Sequence, residues 1–182
     1  GSPQNRERLF VFGIKKNILK NTSLLMFNDS WFSWPLPTYP KAESLYNWGE
    51  PTNRQLVLQA KKLAEPPSEL CVEDLLINDI TSIPNANEFF NLKNISKINK
   101  IEEGDTYRPS FKRLHRKKYS PTVCYGNNEV HLHPYINRRL SVREALRLQG
   151  VPDSYIITTK GKLSKKFKMI GNGVPVPLAH QV

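Results

Sequence analysis

Three polar side chains alternate near the start of the chain, where Gln4, Arg6 and Arg8 precede or begin the apolar run LFVFGI. If that run forms a buried strand, alternate residues share one face, and the three side chains make a row of hydrogen-bond donors. A guanidinium group presents its donors in a planar fork that suits phosphate oxygens or the oxygen-bearing edge of a pyrimidine. The alternation therefore predicts a surface for an anion or a base, with solvated charges at a strand end as the alternative.

A second candidate site lies near the other end of the chain, in KMIGNGVPVPLAHQV. Here Asn172, Gly173 and Val174 precede a helix that is predicted to begin near Pro177. Glycine and asparagine permit unusual backbone angles and close approach to a ligand, and amides at a helix start can face polar groups. The pattern predicts a ligand-binding turn or a simple turn, which these residues alone do not distinguish.

The densest positive charge lies in FKRLHRKKYSPTV, which comes shortly before a predicted turn at residues 126–128. Phosphate contacts from such a run give an affinity that falls steeply with salt, and a solvated run of charge is the alternative. The candidate phosphate-binding residues are Lys112, Arg113, His115, Arg116, Lys117 and Lys118. Base readout is expected from Tyr125, Asn127 and Asn128, because amide side chains suit adenine edges.

The charge balance of the whole chain agrees with a polyanionic partner. The 182 residues carry 27 Lys and Arg against 16 Asp and Glu, a formal net charge of +11. Nucleic acid is the first candidate, and an anionic membrane or an acidic protein is the alternative. A mean hydropathy of -0.51 and the lack of an apolar run of roughly 20 residues predict no membrane span. The N-terminus shows no signal-peptide pattern, so a cytoplasmic location is expected.

Neither cysteine nor histidine residues predict a metal site. Cys71 and Cys124 lie far apart, outside any CxxC pattern and away from a histidine at ligand spacing, so neither zinc nor a disulfide is expected. His131 and His133 alternate and could be read as ligands, but alternating residues in a strand before Pro134 need no ion. A reducing cytosol is the natural setting for such a chain.

The helix that follows Asn137 is the best-specified element. Ser141 and Glu144 predict a capping box, in which each side chain bonds the other residue's backbone amide. Arg143 and Arg147 lie four residues apart on one face of the predicted helix, opposite an apolar face. Gly150, followed by Pro152, supplies the stop signal. The spacing therefore predicts an amphipathic helix with an edge of two arginines.

The remaining elements are less sharply specified. A buried strand is predicted from Arg8 to Ile14, an extended proline-rich loop for WFSWPLPTYP, and a basic helix for TNRQLVLQAKKLA. Ser68 is predicted to cap a further helix, in which apolar residues recur at helical spacing through Ile80. Irregular structure with short strands is expected from there to the basic run.

Three runs in combination resemble one protein family. GSPQNRERLFVFGI, NRRLSVREALRLQGVPD and KMIGNGVPVPLAHQV resemble the eighth, ninth and tenth conserved blocks of bacterial-type DNA (cytosine-5) methyltransferases. The segment between the first two is similar to the family's target-recognition region, with a basic, His-containing run before Ser-Pro-Thr-Val. The likeness is weak between Lys15 and Ser110, and Gly173 takes a place where the family usually has Ala or Ser.

The nucleophilic Pro-Cys, the Glu-Asn-Val motif and the cofactor-binding glycine loop of the family are missing from the sequence. Cys71 follows Leu70 and Cys124 follows Val123. The resemblance therefore implies a piece of a longer enzyme or the second subunit of a split one, inactive until a chain with the nucleophile is supplied.

The resemblance also implies roles for individual residues. Gln4 and Arg6 would bind the DNA backbone and hold the active-site wall, while Arg8 would point toward a flipped cytosine. S-adenosylmethionine would contact Asn172, Gly173 and Val174. A structural role is implied for Arg138, Arg143, Glu144 and Arg147, which would prop the recognition loops against the catalytic core.

The fold implied by the resemblance is a mixed, irregular α+β one. Residues 1–16 would form a strand of a Rossmann-like methyltransferase domain, and residues 161–182 would return to that domain with a C-terminal helix. Residues 17–160 would form a small, mainly β target-recognition domain with short helices.

The function implied is target recognition and completion of the S-adenosylmethionine pocket in a DNA cytosine-5 methyltransferase of restriction-modification type. Its partners would be double-stranded DNA and an N-terminal catalytic half, with no metal and no membrane, in the bacterial cytosol. Two alternatives stay open: a non-catalytic nucleic-acid-binding module on the same scaffold, and an RNA (tRNA) cytosine-5 methyltransferase.

Overall fold

The regular elements of the described residues are short helices and one small sheet. The computed structural model describes residues 2–20, 35–48, 63–78, 81–123, 125, 130–158 and 161–181. The helices are α1 (Lys16–Lys20), α2 (Ala42–Leu45), α3 (Ile95–Ile98), α4 (Val142–Leu148), α5 (Leu163–Asn172) and α6 (Val176–Gln181). Two 3-10 turns span Ser68–Leu70 and Glu73–Leu75. None of the described helices has the length and apolar character needed to cross a membrane.

The sheet consists of two parallel strands of two residues each, β1 (Lys112–Arg113) and β2 (His131–Leu132). Among the described residues, further pairing is limited to isolated bridges, including Gln4 with Ser120. The mixed α+β class predicted from the sequence is confirmed. The described part of the recognition region nevertheless contains far less strand than a mainly β domain, because much of its backbone is bonded by side chains and turns instead.

Helix α4 occupies the centre of the core. Its apolar side chains pack with Leu114 and Val123 and with Phe167 and Ile170 of α5. The capping box is confirmed: the Ser141 hydroxyl accepts from the Glu144 amide at 3.2 Å, and the Glu144 carboxylate accepts from the Ser141 amide at 2.8 Å.

The amphipathic character predicted for α4 is wrong on one face. Arg143 is completely buried, as is nearly every other residue of the helix. Gly150 ends the helix in the left-handed conformation, with φ 71°. The Gly150 amide donates to the Arg147 carbonyl and the Val151 amide to the Leu146 carbonyl, the Schellman arrangement. The helix stop is therefore confirmed, whereas the arginine face serves the interior.

The predicted strand near the N-terminus is absent from the described structure. Leu9 is 88% exposed and Val11 is 84% exposed. A strand needs neighbours to take its backbone hydrogen bonds, and no described strand lies beside residues 9–14. The apolar run is thus largely open to solvent, although Gln4 and Arg6 just before it are buried.

Two other helix predictions had different outcomes. The helix predicted to start at Ser68 is replaced by the two 3-10 turns, and Ser68 makes no side-chain cap. The C-terminal helix predicted near Pro177 is present as α6 and begins at Val176. The predictions for Trp31–Trp34, for most of residues 52–64 and for Ile80 lie outside the described residues.

Candidate functional site

The two ends of the chain meet at the C-terminal end of α4, in what we term the terminal junction: residues 3–6, Leu148–Gly150 and residues 170–177. Gln4 begins it, since its Nε2 donates to the Leu148 carbonyl at 3.0 Å and its Oε1 accepts from the Val123 amide at 3.0 Å. Gln149 extends it, because its Nε2 donates to the Ile170 carbonyl at 2.8 Å. One glutamine thus ties the chain start to α4, and the other ties α4 to α5.

Arg6 binds both the recognition region and the C-terminal segment. Its Nη1 donates to the Val123 carbonyl at 2.8 Å, and its Nη2 donates to the carbonyls of Gly171 and Gly173 at 2.7 Å each. The residue is only 9% exposed. A guanidinium so enclosed holds backbone rather than a DNA phosphate, so Gln4 and Arg6 do not fit the predicted contact to the DNA backbone.

Close packing of Gly150 against Pro177 completes the junction. A Cβ atom at Gly150 would lie 2.4 Å from the Pro177 Cδ, closer than real contacts allow. The Val176 amide, at the start of α6, donates to the Gln149 carbonyl at 2.8 Å. Only glycine combines the left-handed backbone with this approach.

The three residues predicted to contact the cofactor lie together at the end of α5. Asn172 is the last residue of the helix and is exposed, Gly173 follows it, and Val174 is 39% exposed. The Gly173 amide donates to the Ile170 carbonyl, and a Cβ at Gly173 would lie 3.2 Å from that oxygen. The residue needs to be small, and its two neighbours face outward, where a ligand can reach them.

Arg8 belongs to the exposed N-terminal run. Its Nη1 donates to the neighbouring Glu7 carbonyl. Because two extended residues span at most about 7 Å, the Arg8 backbone stays close to Arg6, which contacts both neighbours of Asn172. Arg8 itself is exposed to solvent.

Arg143 of α4 holds two loops to the core. Its three nitrogens donate to the carbonyls of Pro84 at 2.9 Å, Pro152 at 3.1 Å and Tyr155 at 2.6 Å. Arg147 pairs through two nitrogens with the Asp153 carboxylate, at 2.9 and 2.6 Å, which lowers the pKa of that carboxyl. The internal bonding predicted for Arg143 is thus present.

Glu144 is a buried carboxylate that remains ionised. Arg138 pairs with it through two nitrogens at 2.6 and 2.7 Å, and the amides of Ser141 and Ile77 also donate to it. Burial alone would raise the pKa of Glu144, but the bonds from Arg138 and Ser141 outweigh it and lower the pKa. His133 Nε2 lies 4.0 Å from this carboxylate. Burial lowers the pKa of His133 to about 4, so at neutral pH this approach is not an ion pair.

Arg113 contradicts its predicted role in the basic segment (Lys112–Lys118). It is 4% exposed, and its guanidinium donates to the carbonyls of His133 at 3.0 Å and Ile98 at 2.9 Å and to the Asn137 side chain at 2.9 Å. A side chain used in this way cannot contact phosphate. Arg113 therefore anchors the start of the basic segment from inside.

Other members of the basic segment remain at the surface. Arg116 is paired with Glu103 at 2.8 Å and lies 4.7 Å from the centre of the Tyr135 ring. The Lys117 side chain is 59% exposed and lies 3.7 Å from the Glu65 carboxylate. Lys112, His115 and Lys118 are partly exposed. Burial lowers the pKa of His115, which keeps its ring neutral at physiological pH.

Tyr125 contradicts its predicted role in base readout. Its hydroxyl is buried without a hydrogen-bond partner among the described residues, and its ring packs edge-on against Phe167 at 4.8 Å and His131 at 5.8 Å. Burial strongly raises the pKa of this hydroxyl. Asn127 and Asn128, the other two predicted readers, lie outside the described residues.

Neither a nucleophile nor a metal site is found in the described part of the chain. Cys71 is buried, which raises the pKa of its thiol to about 11, so it is protonated at neutral pH. Cys124 lies outside the described residues. No group of His, Cys, Asp and Glu among the described residues is arranged to hold a metal ion.

Sequence reasoning missed the contribution of Val123. Both its amide and its carbonyl are bonded, to Gln4 and Arg6 respectively. Every residue has a backbone carbonyl, and all but proline have an amide, so the identity of residue 123 does not reveal these hydrogen bonds.

Comparison with known proteins gives a consistent family. The model of the C-5 cytosine-specific DNA methylase family matches residues 1–182. Type II methyltransferase M.NmeDI of Neisseria meningitidis serogroup C is 38% identical over 178 residues, which cover 96% of this chain and 40% of the relative. DNA (cytosine-5)-methyltransferase CMT3 of Arabidopsis thaliana is 41% identical over 80 residues, 42% of this chain and 9% of the relative.

Among solved structures, the crystal structure of S. pombe Dnmt2 methyltransferase aligns with a TM-score of 0.41 and 16% identity, covering 73% of this chain and 45% of that one. The chain spans less than half the length of M.NmeDI, although the match covers nearly all of this chain.

Proposed function

Because the chain belongs to the C-5 cytosine-specific DNA methylase family, we propose that it supplies the target-recognition and C-terminal parts of an S-adenosylmethionine-dependent DNA cytosine-5 methyltransferase of restriction-modification type. The observation that carries this proposal is the terminal junction, where Arg6 bonds the carbonyls on both sides of Asn172. Two segments far apart in sequence thereby form one surface. The name of the N. meningitidis relative supports the restriction-modification type.

S-adenosylmethionine fits the turn formed by Asn172, Gly173 and Val174. In support, Asn172 and Val174 are exposed, and Gly173 lies beside the Ile170 carbonyl, which leaves little room there for a larger residue. The Asn172 amide can bond a polar group of the cofactor, and Val174 can pack on an apolar part. The bound cofactor would supply the methyl group. The chain's own contribution is to hold and orient that group and to exclude water from one side of it.

Duplex DNA would lie along the exposed part of the basic segment. Lys112, Lys117 and Lys118 are the proposed phosphate contacts, with a partial contribution from Arg116, whose charge is shared with Glu103. Arg8 would face the flipped cytosine from the exposed N-terminal run. Extrusion of the base is needed because its reactive carbon is inaccessible in a stacked duplex.

The nucleophile would come from an N-terminal catalytic half, on the same parent chain or on a separate subunit. The exposed apolar side chains of Leu9 and Val11 support such a partner, because neighbouring exposed apolar residues often mark a surface that another protein surface covers. Residues 1–16 and 161–182 would join that half, and residues 17–160 would form the recognition part. We place the assembled enzyme in the bacterial cytosol, beside its DNA.

The test is methyl transfer from labelled S-adenosylmethionine, measured for the chain alone, for the catalytic half alone and for the two combined. We expect transfer to duplex DNA only in the combination. A Lys117→Ala/Lys118→Ala variant should weaken DNA binding without changing cofactor binding. Transfer by the 182-residue chain alone would contradict the proposal.

The same assay separates the alternatives. Preferential methylation of tRNA would identify an RNA enzyme. DNA binding without cofactor binding in the combination would identify a non-catalytic module.

A further inference from the structure

One guanidinium lies between the basic segment and the turn proposed to hold the cofactor. The Nη2 atom of Arg6 donates to the carbonyl oxygens of both Gly171 and Gly173, so that a single nitrogen orients the carbonyls of the two residues that flank Asn172. The Nη1 atom of the same group donates to Val123, 2.8 Å away. If Val123 or the turn around Asn172 moves, the guanidinium must move with it, and its hydrogen bonds to the other segment are displaced.

Residues 120–122, which lie between the basic segment and Val123 in the chain, are hydrogen-bonded to the start of the chain. The Ser120 amide donates to the Pro3 carbonyl at 2.8 Å, and the Asn5 amide donates to the Ser120 carbonyl at 2.9 Å. The Thr122 hydroxyl donates to the Asn5 carbonyl at 2.7 Å. Residues 120–123 therefore run beside residues 3–6 as one unit, which directly follows the lysines proposed to bind phosphate.

The geometry requires an arginine. Three carbonyl oxygens in two different segments are bonded by two nitrogens held in one plane. A lysine ammonium is a single nitrogen on a flexible stem, so it can reach one segment or the other but does not reproduce the planar fork. Replacing Arg6 by lysine would therefore keep the positive charge and remove the hydrogen bonds that join the two segments.

We propose that Arg6 is a positioning residue that couples DNA recognition to cofactor binding, by holding Val123 and the turn around Asn172 in a fixed relation. This inference rests on the proposed function and names a means of regulation within it. DNA bound along the basic segment restrains Val123, and Arg6 passes this restraint to the turn around Asn172. By reciprocity, bound cofactor tightens DNA binding by the same factor.

Arg113 provides a matched control. It too is a buried arginine whose two terminal nitrogens bond backbone carbonyls, those of His133 and Ile98, but it does so away from the junction. Arg6→Lys and Arg113→Lys therefore remove equivalent interactions at two places. A loss that follows only from general destabilisation would be the same in both variants.

The first measurement is amide hydrogen exchange in the chain. We expect Arg6→Lys to accelerate exchange of the Gly173 amide by about tenfold or more while leaving the His133 amide protected, and Arg113→Lys to give the reverse pattern. Acceleration of both amides to the same extent in both variants would show a general structural role only and would overturn the proposal.

The second measurement is the dissociation constant of S-adenosylmethionine for the chain combined with the catalytic half, with and without a duplex. With duplex at a concentration that saturates each variant, we expect DNA to tighten cofactor binding by about tenfold, within the range typical of allosteric coupling, in wild type and in Arg113→Lys, because Arg113 bonds no group of the turn. In Arg6→Lys the ratio should fall to about one. An unchanged ratio in Arg6→Lys would overturn the coupling.

A wild-type combination that binds no cofactor would overturn the proposed function and the coupling together. The exchange measurement would still decide, by itself, whether Arg6 holds the turn.

Discussion

In the terminal junction, Gln4, Arg6 and Gln149 direct their hydrogen bonds to groups in the interior, whereas in the basic segment Arg116 and Lys117 meet carboxylates at the surface. Both regions consist of polar and basic residues. They differ in burial: Gln4, Arg6 and Gln149 are buried at the C-terminal end of α4, whereas Arg116 and Lys117 are partly or fully exposed.

This difference shows that the net charge of a chain does not give the number of side chains that can contact phosphate. The chain has a formal charge of +11, yet Arg6, Arg113 and Arg143 are buried and bonded to carbonyls of the protein. Arginine serves this use better than lysine because its fork satisfies several acceptors at once. The lysines of the basic segment are at least partly exposed at the surface.

The largest expected effect is the loss of the buried carboxylate of α4. Glu144→Ala should lower the free energy of unfolding by roughly 3–5 kcal/mol, because Arg138 and two backbone amides lose their acceptor in the interior. Chemical denaturation measures this change.

Glu103→Ala is the matched variant at the surface, where Arg116 stays solvated. It should cost no more than about 1 kcal/mol. Equal losses in the two variants would break the comparison between interior and surface pairs.

The second prediction concerns acid. Burial lowers the pKa of both His131 and His133 from 6.5 to about 4. The positive charge of Lys112 adds a smaller decrease at His131, and that of Arg138 adds a smaller decrease at His133. Between these pH values the unfolded chain binds more protons than the folded one, so stability is complete above pH 6.5 and falls as the pH drops toward 4. The expected loss at pH 5 is on the order of 2 kcal/mol for each histidine.

Replacing one histidine sharpens this prediction. Neither ring nitrogen of His131 has a hydrogen-bond partner among the described residues. His131→Leu should therefore leave stability at pH 7.5 nearly unchanged and remove about half of the loss seen on moving to pH 5. An unchanged pH profile in this variant would exclude His131 as a source of the acid sensitivity.

The third prediction tests the packing of the junction. Gly150→Ala should destabilise the chain by roughly 2–3 kcal/mol, because the new Cβ meets Pro177 and the backbone is left-handed. In the control, Gly13→Ala, the new Cβ has no atom within 4 Å, and a change below about 0.5 kcal/mol is expected. Thermal unfolding of both variants, followed by circular dichroism, would detect the difference.

The smallest effect on stability belongs to the basic segment. Lys117→Ala should leave the unfolding free energy unchanged within about 0.5 kcal/mol, while reducing the slope of log K against log salt for duplex DNA by about 0.9. DNA-binding titrations at several salt concentrations would measure that slope. No change in slope would remove Lys117 from the proposed DNA surface.

Local signals in the sequence predicted both ends of α4 correctly, although the cap signal at Ser68 did not give the predicted helix. The Ser141 and Glu144 capping box and the Gly150 stop depend on atoms within a few residues of each other, so their spacing suffices. The strand predicted from Arg8 to Ile14 is absent from the described structure, because a strand is completed by neighbours that are distant in sequence.

The sequence by itself determined the family blocks, the ends of α4 and the small residue after Asn172, since each depends on residue type and short spacing. Only the tertiary structure decided that Arg113 points inward and Arg116 outward, three residues apart in the same basic segment. It also decided that Arg6 binds Val123, Gly171 and Gly173. The physical reason is that burial and backbone acceptors come from remote segments, and these determine what a charged side chain does.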